Sequence, residues 1–234
     1  MKLFYGEIFP EIRIHSEEQQ HLLKVLRMKD GEVIQLTDGR GNLATGTLRV
    51  EGKKAALEPL NVETGLADFS RRLHVALAPT KNIDRTEFFV EKATELGVSE
   101  ITFLLTEQSE RKAVNLERIQ KQVVSASKQS GRFHFPKLNP MVKLADFVAT
   151  ALPESTFVAH CDAAFERVGL EAIPAMEAMT FLIGPEGDFS PREIEMLTTK
   201  GIRAVQLGNQ RLRTETAGVF VAAWNYYRMM ALSL

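Results

Sequence analysis

The chain has a single cysteine, a single tryptophan, no excess of either charge and no apolar run near the roughly 20 residues of a membrane-spanning helix. A lone Cys161 excludes an intrachain disulfide, and without neighbouring Cys or His at ligand spacing it marks neither a zinc site nor a C-x-x-C redox pair, so no metal is expected. Beside the strand-like run TFVAH it is expected to be a small buried hydrophobe. With 29 Lys and Arg against 30 Asp and Glu, the net charge of −1 rules out a generally cationic surface, so any polyanion must be met by a local patch. The dinucleotide pattern G-x-G-x-x-G is missing, which argues against a conventional Rossmann cofactor site. The opening MKLFYGEIFPEIRIHSEE meets charge and proline before any signal-peptide core can form, and a cytoplasmic location is expected.

What is present is an ordinary globular composition, 44% hydrophobic and 25% charged, over 234 residues, enough for two modules. Residues 1–70 alternate short apolar runs with glycine turns (VIQLTD, DGRGN, LATGTLRV, EGKK, AALEPL), the pattern of hairpins in a small β-barrel or sheet. One helix interrupts them: Ser16 three residues before Gln19 reads as a capping box opening SEEQQHLLKVLRMK, with Gly31 beyond its end. After a linker, roughly VETGLADFSRR, residues 74–234 alternate short apolar strands with helices, as an α/β domain with a largely parallel sheet does. Asp84 and Glu87 resemble a capping box with Gly97 as the stop; Ser190, Pro191 and Glu193 form a fuller start signal; the last helix begins near Thr214 and is apolar over most of its surface.

Two segments suggest a pocket. MTFLIGPEGDFSPREIE runs an apolar strand into Gly184, Pro185, Glu186 and Gly187 before a capped helix, and glycine there lets a ligand approach the backbone. AVQLG then ends in Gly208, and its loop presents Arg211, Arg213, Thr214, Glu215 and Thr216. Two such strand ends would face one cleft, although Thr214 or Thr216 as a cap and Glu215 against the helix dipole would account for the same residues without any ligand. Basic residues cluster from Arg111 to Lys137, seven against the single acid Glu117, and four more fall between Lys200 and Arg213 with no acid.

GPEGDFSPREIE followed by LGNQRLRTETA resembles the paired signature of the RsmE family, 16S ribosomal RNA uridine-N3 methyltransferases of the SPOUT superfamily. HLLKVLRMKDGEVIQLTDGRG, DRTEFFVEKATELGVSEITFLLTEQSERK and SASKQSGRFHFPKL extend the likeness in order along essentially the whole chain. The resemblance implies an N-terminal PUA-like β-barrel for RNA over 1–70, and over 74–234 a SPOUT-type α/β methyltransferase domain threaded into a trefoil knot. It also implies a homodimer and 16S rRNA of the small ribosomal subunit as substrate. Carried over by position, Ile183, Gly184, Gly187, Leu207, Gly208, Leu212 and Thr214 would line an S-adenosylmethionine site. Asp188 and Asn209-Gln210 depart from the family's forms, Asp188 standing where a second glycine is common.

N3 of uridine bears a proton, so the reacting base should be the anion. Arg213 is expected to stabilise it, with Glu186 or Glu215 accepting the proton. Lys24, Arg27, Arg85, Arg111 and Arg132 are expected to grip RNA phosphates, while His21 and His134 fit packing better than RNA contact. Composition alone leaves open a knotted ribose 2′-O methyltransferase acting on transfer RNA, or a catalytically silent RNA-binding assembly factor.

Overall fold

A computed structural model describes residues 2–68 and 72–232, so the expected linker lies partly outside the described residues. They divide into two compact units, one of residues up to 68 together with 124–135, the other of 72–123 and 136–232.

The first unit is built on a five-stranded, curled mixed sheet in the order β2-β1-β3-β4-β5: β1 (Leu3–Glu7), β2 (Arg13–Ile14), β3 (Val33–Thr37), β4 (Leu43–Glu51) and β5 (Lys54–Glu63). β3, β4 and β5 are the antiparallel hairpins expected from the glycine turns, while β1 joins β3 in parallel. Phe4, Leu22, Ile34, Leu36, Ala44, Leu48 and Leu57 form its core.

The expected single helix is shorter and differently begun. α1 (Ser16–Gln20) continues only as a π-helical turn over His21–Val25, and the chain leaves it through Arg27 at φ 50°, four residues before Gly31. Ser16 does not cap it. The residue before the helix is His15, and Gln19 instead donates to the Ile14 carbonyl and accepts from Ala55 N–H, tying the helix to β5.

Residues 124–135 complete this unit. They are the end of α3 (Leu116–Gln129) and the following loop. Gly41 N–H donates to the Phe133 carbonyl and Phe135 N–H to that of Gly39, and Phe135 packs on Tyr5 with ring centroids 5.3 Å apart. Lys128 meets Glu18 at 2.5 Å, and Arg132 meets Asp68 at 3.3 Å.

The second unit carries a seven-stranded sheet, parallel throughout its described pairings, in the order β10-β12-β9-β11-β6-β7-β8. Its strands are β6 (Arg72–Leu77), β7 (Glu100–Leu105), β8 (Lys137–Lys143), β9 (Thr156–Ala159), β10 (Val168–Gly169), β11 (Ala178–Ile183) and β12 (Arg203–Gln206). Continuous apolar runs such as FLI in β11 and TFVA in β9 are buried because both sheet faces are covered. The helices are α2 (Ile83–Glu95), the first part of α3, α4 (Leu144–Thr150), α5 (Pro191–Thr199) and α6 (Thr214–Leu232). Sequence reading missed β8 and the two-residue β10, whose segments carry proline, lysine and glycine in place of an apolar run, and α4, which at seven residues is too short to show a helical period clearly.

α5 begins as expected: Ser190 accepts from Glu193 N–H, the Glu193 carboxylate accepts from Ser190 N–H, and Pro191 needs no donor. α2 does not, since its cap is Asn82, which accepts from Asp84 N–H, and Glu87 pairs with Arg118. Gly97, at φ 87°, ends it as expected. α6 lies against α2, β6 and β11, with Gly218 set directly on Phe89 and Leu77 where a side chain would collide. Among the described residues no helix is long and apolar enough to cross a membrane.

Candidate active site

Strand order reverses at β6: β7 and β8 lie on one side, β11, β9, β12 and β10 on the other. Ligands of open parallel sheets sit beyond the carboxyl ends of strands at such a point. A cavity of about 340 Å³ lies beside that point, lined by the loops that follow β9, β11 and β12 and by the starts of α2 and α6. Its size suits a nucleoside-sized ligand.

Most of the expected cofactor residues meet in it. Ile183, Gly184, Leu207, Gly208, Leu212 and Thr214 all line the cavity, as do Arg213 and Glu186; Gly187 does not, lying against Gln108. Thr214 is the first residue of α6, buried, and its hydroxyl donates to the Gly184 carbonyl at 2.9 Å. That bond joins the loop after β11 to the loop after β12. Glu215 turns away from the cavity into the packing of α6 on α2. It is buried, with Arg85 Nε 3.8 Å from one carboxylate oxygen and the other oxygen unpartnered. Glu186 is exposed at the cavity mouth and accepts from Lys81 N–H at 3.0 Å.

The two loops are not neighbours in the sheet, because β9 runs between β11 and β12. It brings in residues that sequence reading did not assign to the site: His160, Cys161 and Arg167. Cys161 is exposed, contrary to the expected buried hydrophobe, because β9 ends at Ala159 and the cysteine falls in the loop. Its N–H donates to Asp188 at 2.7 Å. Asp188 sits at φ 64°, a left-handed conformation that costs an ordinary side chain about 1 kcal/mol and which Asp tolerates better than most. Its carboxylate, accepting from both Cys161 N–H and Phe189 N–H, offsets that cost and fastens the β9 loop to the β11 loop. Only the positive φ preference, visible as the family's glycine, could have signalled this position.

His160 is buried, 5% exposed, and neither ring nitrogen has a hydrogen-bond partner. Burial pushes its pKa below the ordinary histidine value and Arg167 adds to this, while Asp188 and Asp162 pull the other way. The Arg167 guanidinium donates to the His160 carbonyl at 2.9 Å.

The residues expected to grip RNA fall into different settings. Lys24 and Arg27 are exposed at the end of the N-terminal helix. Arg85 is half-buried in the cavity wall. Arg111 donates to the carbonyls of Thr80 and Lys81, at 2.9 and 2.6 Å, and braces the loop after β6. Arg132 is buried beside Asp68, its side chain 6% exposed, where a phosphate has no access. His21 is exposed rather than packed, and His134 bonds the Leu66 carbonyl at 2.7 Å. No group of three or more potential metal-ligating side chains occurs among the described residues.

Comparison with known proteins agrees with this arrangement. The family model described as RNA methyltransferase domain matches residues 67–225, and one described as RNA methyltransferase PUA domain matches residues 15–58. A structure from Porphyromonas gingivalis described as a probable rRNA-methyltransferase superposes with a TM-score of 0.89 at 34% identity, covering 100% of both chains. The Ribosomal RNA small subunit methyltransferase E of Neisseria gonorrhoeae, solved bound to S-adenosylmethionine, gives a TM-score of 0.84 at 29% identity over 99% of this chain and 98% of that one. The curated enzyme of the same name from Rickettsia conorii is 27% identical over 224 residues, 91% of this chain and 88% of that protein. The chain belongs to the RNA methyltransferase family.

Proposed function

We propose that this protein methylates N3 of a specific uridine in 16S rRNA of the small ribosomal subunit, taking the methyl group from S-adenosylmethionine. The observation that carries the reading is the cavity itself, in which the two signature loops converge and Thr214 joins them through Gly184. Apolar Ile183, Val205, Leu207 and Leu212 suit an adenine ring, strand-end peptide groups suit its polar edge and the ribose, and Asp188 suits a cation. The cofactor, when bound, supplies an electrophilic methyl group on a sulfonium. The protein's part is to hold the uridine in line with it and to stabilise the base once N3 has lost its proton.

Arg213, exposed at the cavity wall, is the residue we assign to the uridine anion. Glu215 as proton acceptor would have to be uncovered from beside Arg85. Lys24 and Arg27 would hold the flanking phosphates, with Arg85 nearer the cofactor. Arg111 and Arg132 serve the fold. The same reading includes a PUA-like RNA-docking role for residues 1–70, a trefoil knot in the domain of residues 74–234, a homodimer and a cytoplasmic location. Exposed Phe88, Phe220, Tyr227 and Met230 supply apolar surface on α2 and α6 that a second copy could cover.

The test is single-turnover methylation of small subunits lacking the modification, with nucleoside mass spectrometry to place the methyl group. Arg213→Ala should bind S-adenosylmethionine normally and transfer about a hundredfold more slowly. Methyl groups on ribose, or on transfer RNA, would replace this reading with the other methyltransferase.

A further inference from the structure

We infer that Glu186 is a positioning residue, the clasp that closes the mouth of the cavity, and not the proton acceptor. The inference rests on reading the cavity as the S-adenosylmethionine site. Glu186 projects from the loop after β11, and its carboxylate accepts from Lys81 N–H at 3.0 Å, across to the loop after β6. That N–H is a fixed target. Arg111 holds the carbonyls of both Thr80 and Lys81, Thr80 N–H donates to the Thr86 hydroxyl at 3.0 Å, and the Thr80 hydroxyl donates to the Asn82 carbonyl at 2.6 Å. The Lys81 ammonium is turned outward to Glu110 at 2.8 Å. From the opposite side Arg211 donates to the Glu186 carbonyl at 3.2 Å.

One residue therefore joins three strand-end loops, those after β6, β11 and β12. Lys81, Glu186 and Arg211 are all exposed, so these bonds exchange readily with water and can open to admit a ligand. A buried wall could not do so. A carboxylate committed to a backbone donor at the rim governs how long the ligand stays, while the chemistry belongs to groups within.

The experiment compares wild type, Glu186→Ala, Glu186→Gln and Arg211→Ala by calorimetry and stopped-flow binding of S-adenosylmethionine, by single-turnover methylation at saturating cofactor, and by hydrogen exchange at Lys81 N–H. Glu186→Ala should weaken cofactor binding about tenfold, mainly through faster dissociation, and speed Lys81 exchange. Arg211→Ala should do the same to a smaller degree. Glu186→Gln keeps an oxygen for Lys81 N–H, so it should restore affinity to within about threefold of wild type and leave the pH dependence of methyl transfer unchanged. A Gln variant that binds normally yet transfers about a hundredfold more slowly would make Glu186 the base and overturn the inference. Unchanged Lys81 exchange in Glu186→Ala would overturn it too, whether or not the cofactor binds. Failure of the wild type to bind S-adenosylmethionine, with Lys81 exchange still responding to Glu186→Ala, would instead refute the cofactor assignment and the clasp's role in holding it.

Discussion

Thr214→Val removes one hydroxyl at the junction of the two signature loops and changes little else. The hydroxyl donates to the Gly184 carbonyl at 2.9 Å, and both residues are buried. Valine nearly preserves the volume, so the cavity contribution is small and the main cost is a buried carbonyl deprived of its donor, about 1–3 kcal/mol. Trp224, the chain's only tryptophan, reports on this unit: its ring meets Phe181 of β11 edge-on with centroids 5.8 Å apart, and Arg228 lies over it at 4.5 Å. With a urea dependence of about 2 kcal/mol/M for a domain of this size, the fluorescence midpoint should fall by about 0.5–1.5 M. Thr214→Ser keeps the donor and loses one methyl, for about 0.8 kcal/mol. S-adenosylmethionine affinity should fall with valine and survive with serine, because the hydroxyl and not the methyl makes the buried bond between the loops. A valine midpoint within about 0.2 M of wild type, inside measurement scatter, would refute the reasoning.

Glu193→Gln retains one acceptor where the carboxylate now serves two backbone donors, the buried Ser190 N–H at 2.9 Å and the part-buried Glu107 N–H at 2.8 Å, and should cost about 1–2 kcal/mol in the same urea titration. Burial lowers the pKa of both His160 and His74, so the unfolded chain takes up protons on these residues where the folded chain does not. Stability should therefore decline as pH falls through about 6.5 and level off below the folded-state values; melting temperatures of His74→Gln and His160→Gln between pH 7.5 and 5 should show a shallower decline than wild type. Charge reversal at exposed Lys24 and Arg27 should weaken RNA binding and reduce the magnitude of its salt slope by about 2, leaving S-adenosylmethionine affinity intact; an unchanged slope removes them from the interface.

The pattern of elements was legible where one physical signal dominated. Runs of buried apolar residues marked β6, β7, β9 and β11, and the Ser190-Pro191-Glu193 start marked α5, because in each case local chemistry and burial agree. The helix at Ser16 was misread because Gln19 had a better partner outside it, the edge of β5, which no local spacing reveals. Asn82 displaced the expected Asp84 cap for a similar reason: side chains that could cap were spoken for, Glu87 by Arg118. In the site, the two glycine-ended strands located the cavity, but the strand between them was invisible as a contributor. Sheet order, not chain order, put His160, Cys161 and Arg167 into the wall.

Charge shows most sharply how a count along the chain differs from a surface. The excess from Arg111 to Lys137 suggested a patch for RNA, yet most of it is answered by acids or carbonyls, all but Glu117 from outside the segment. Arg111 holds backbone, Arg118 meets Glu87, Lys121 meets Glu117, Lys128 meets Glu18, Arg132 meets Asp68 and Lys137 meets Glu100. Six of the seven thus have structural partners, and the seventh, Lys112, is exposed with no acid paired to it among the described residues. A phosphate competing for the buried Arg132 or the largely buried Lys128 would have to strip a carboxylate from it, which is costly where the pair is shielded from water. A phosphate at Lys24 or Arg27 displaces only water. The asymmetry moves the expected RNA contact from the long basic segment to the short N-terminal helix, whose left-handed exit at Arg27 leaves that side chain in solvent.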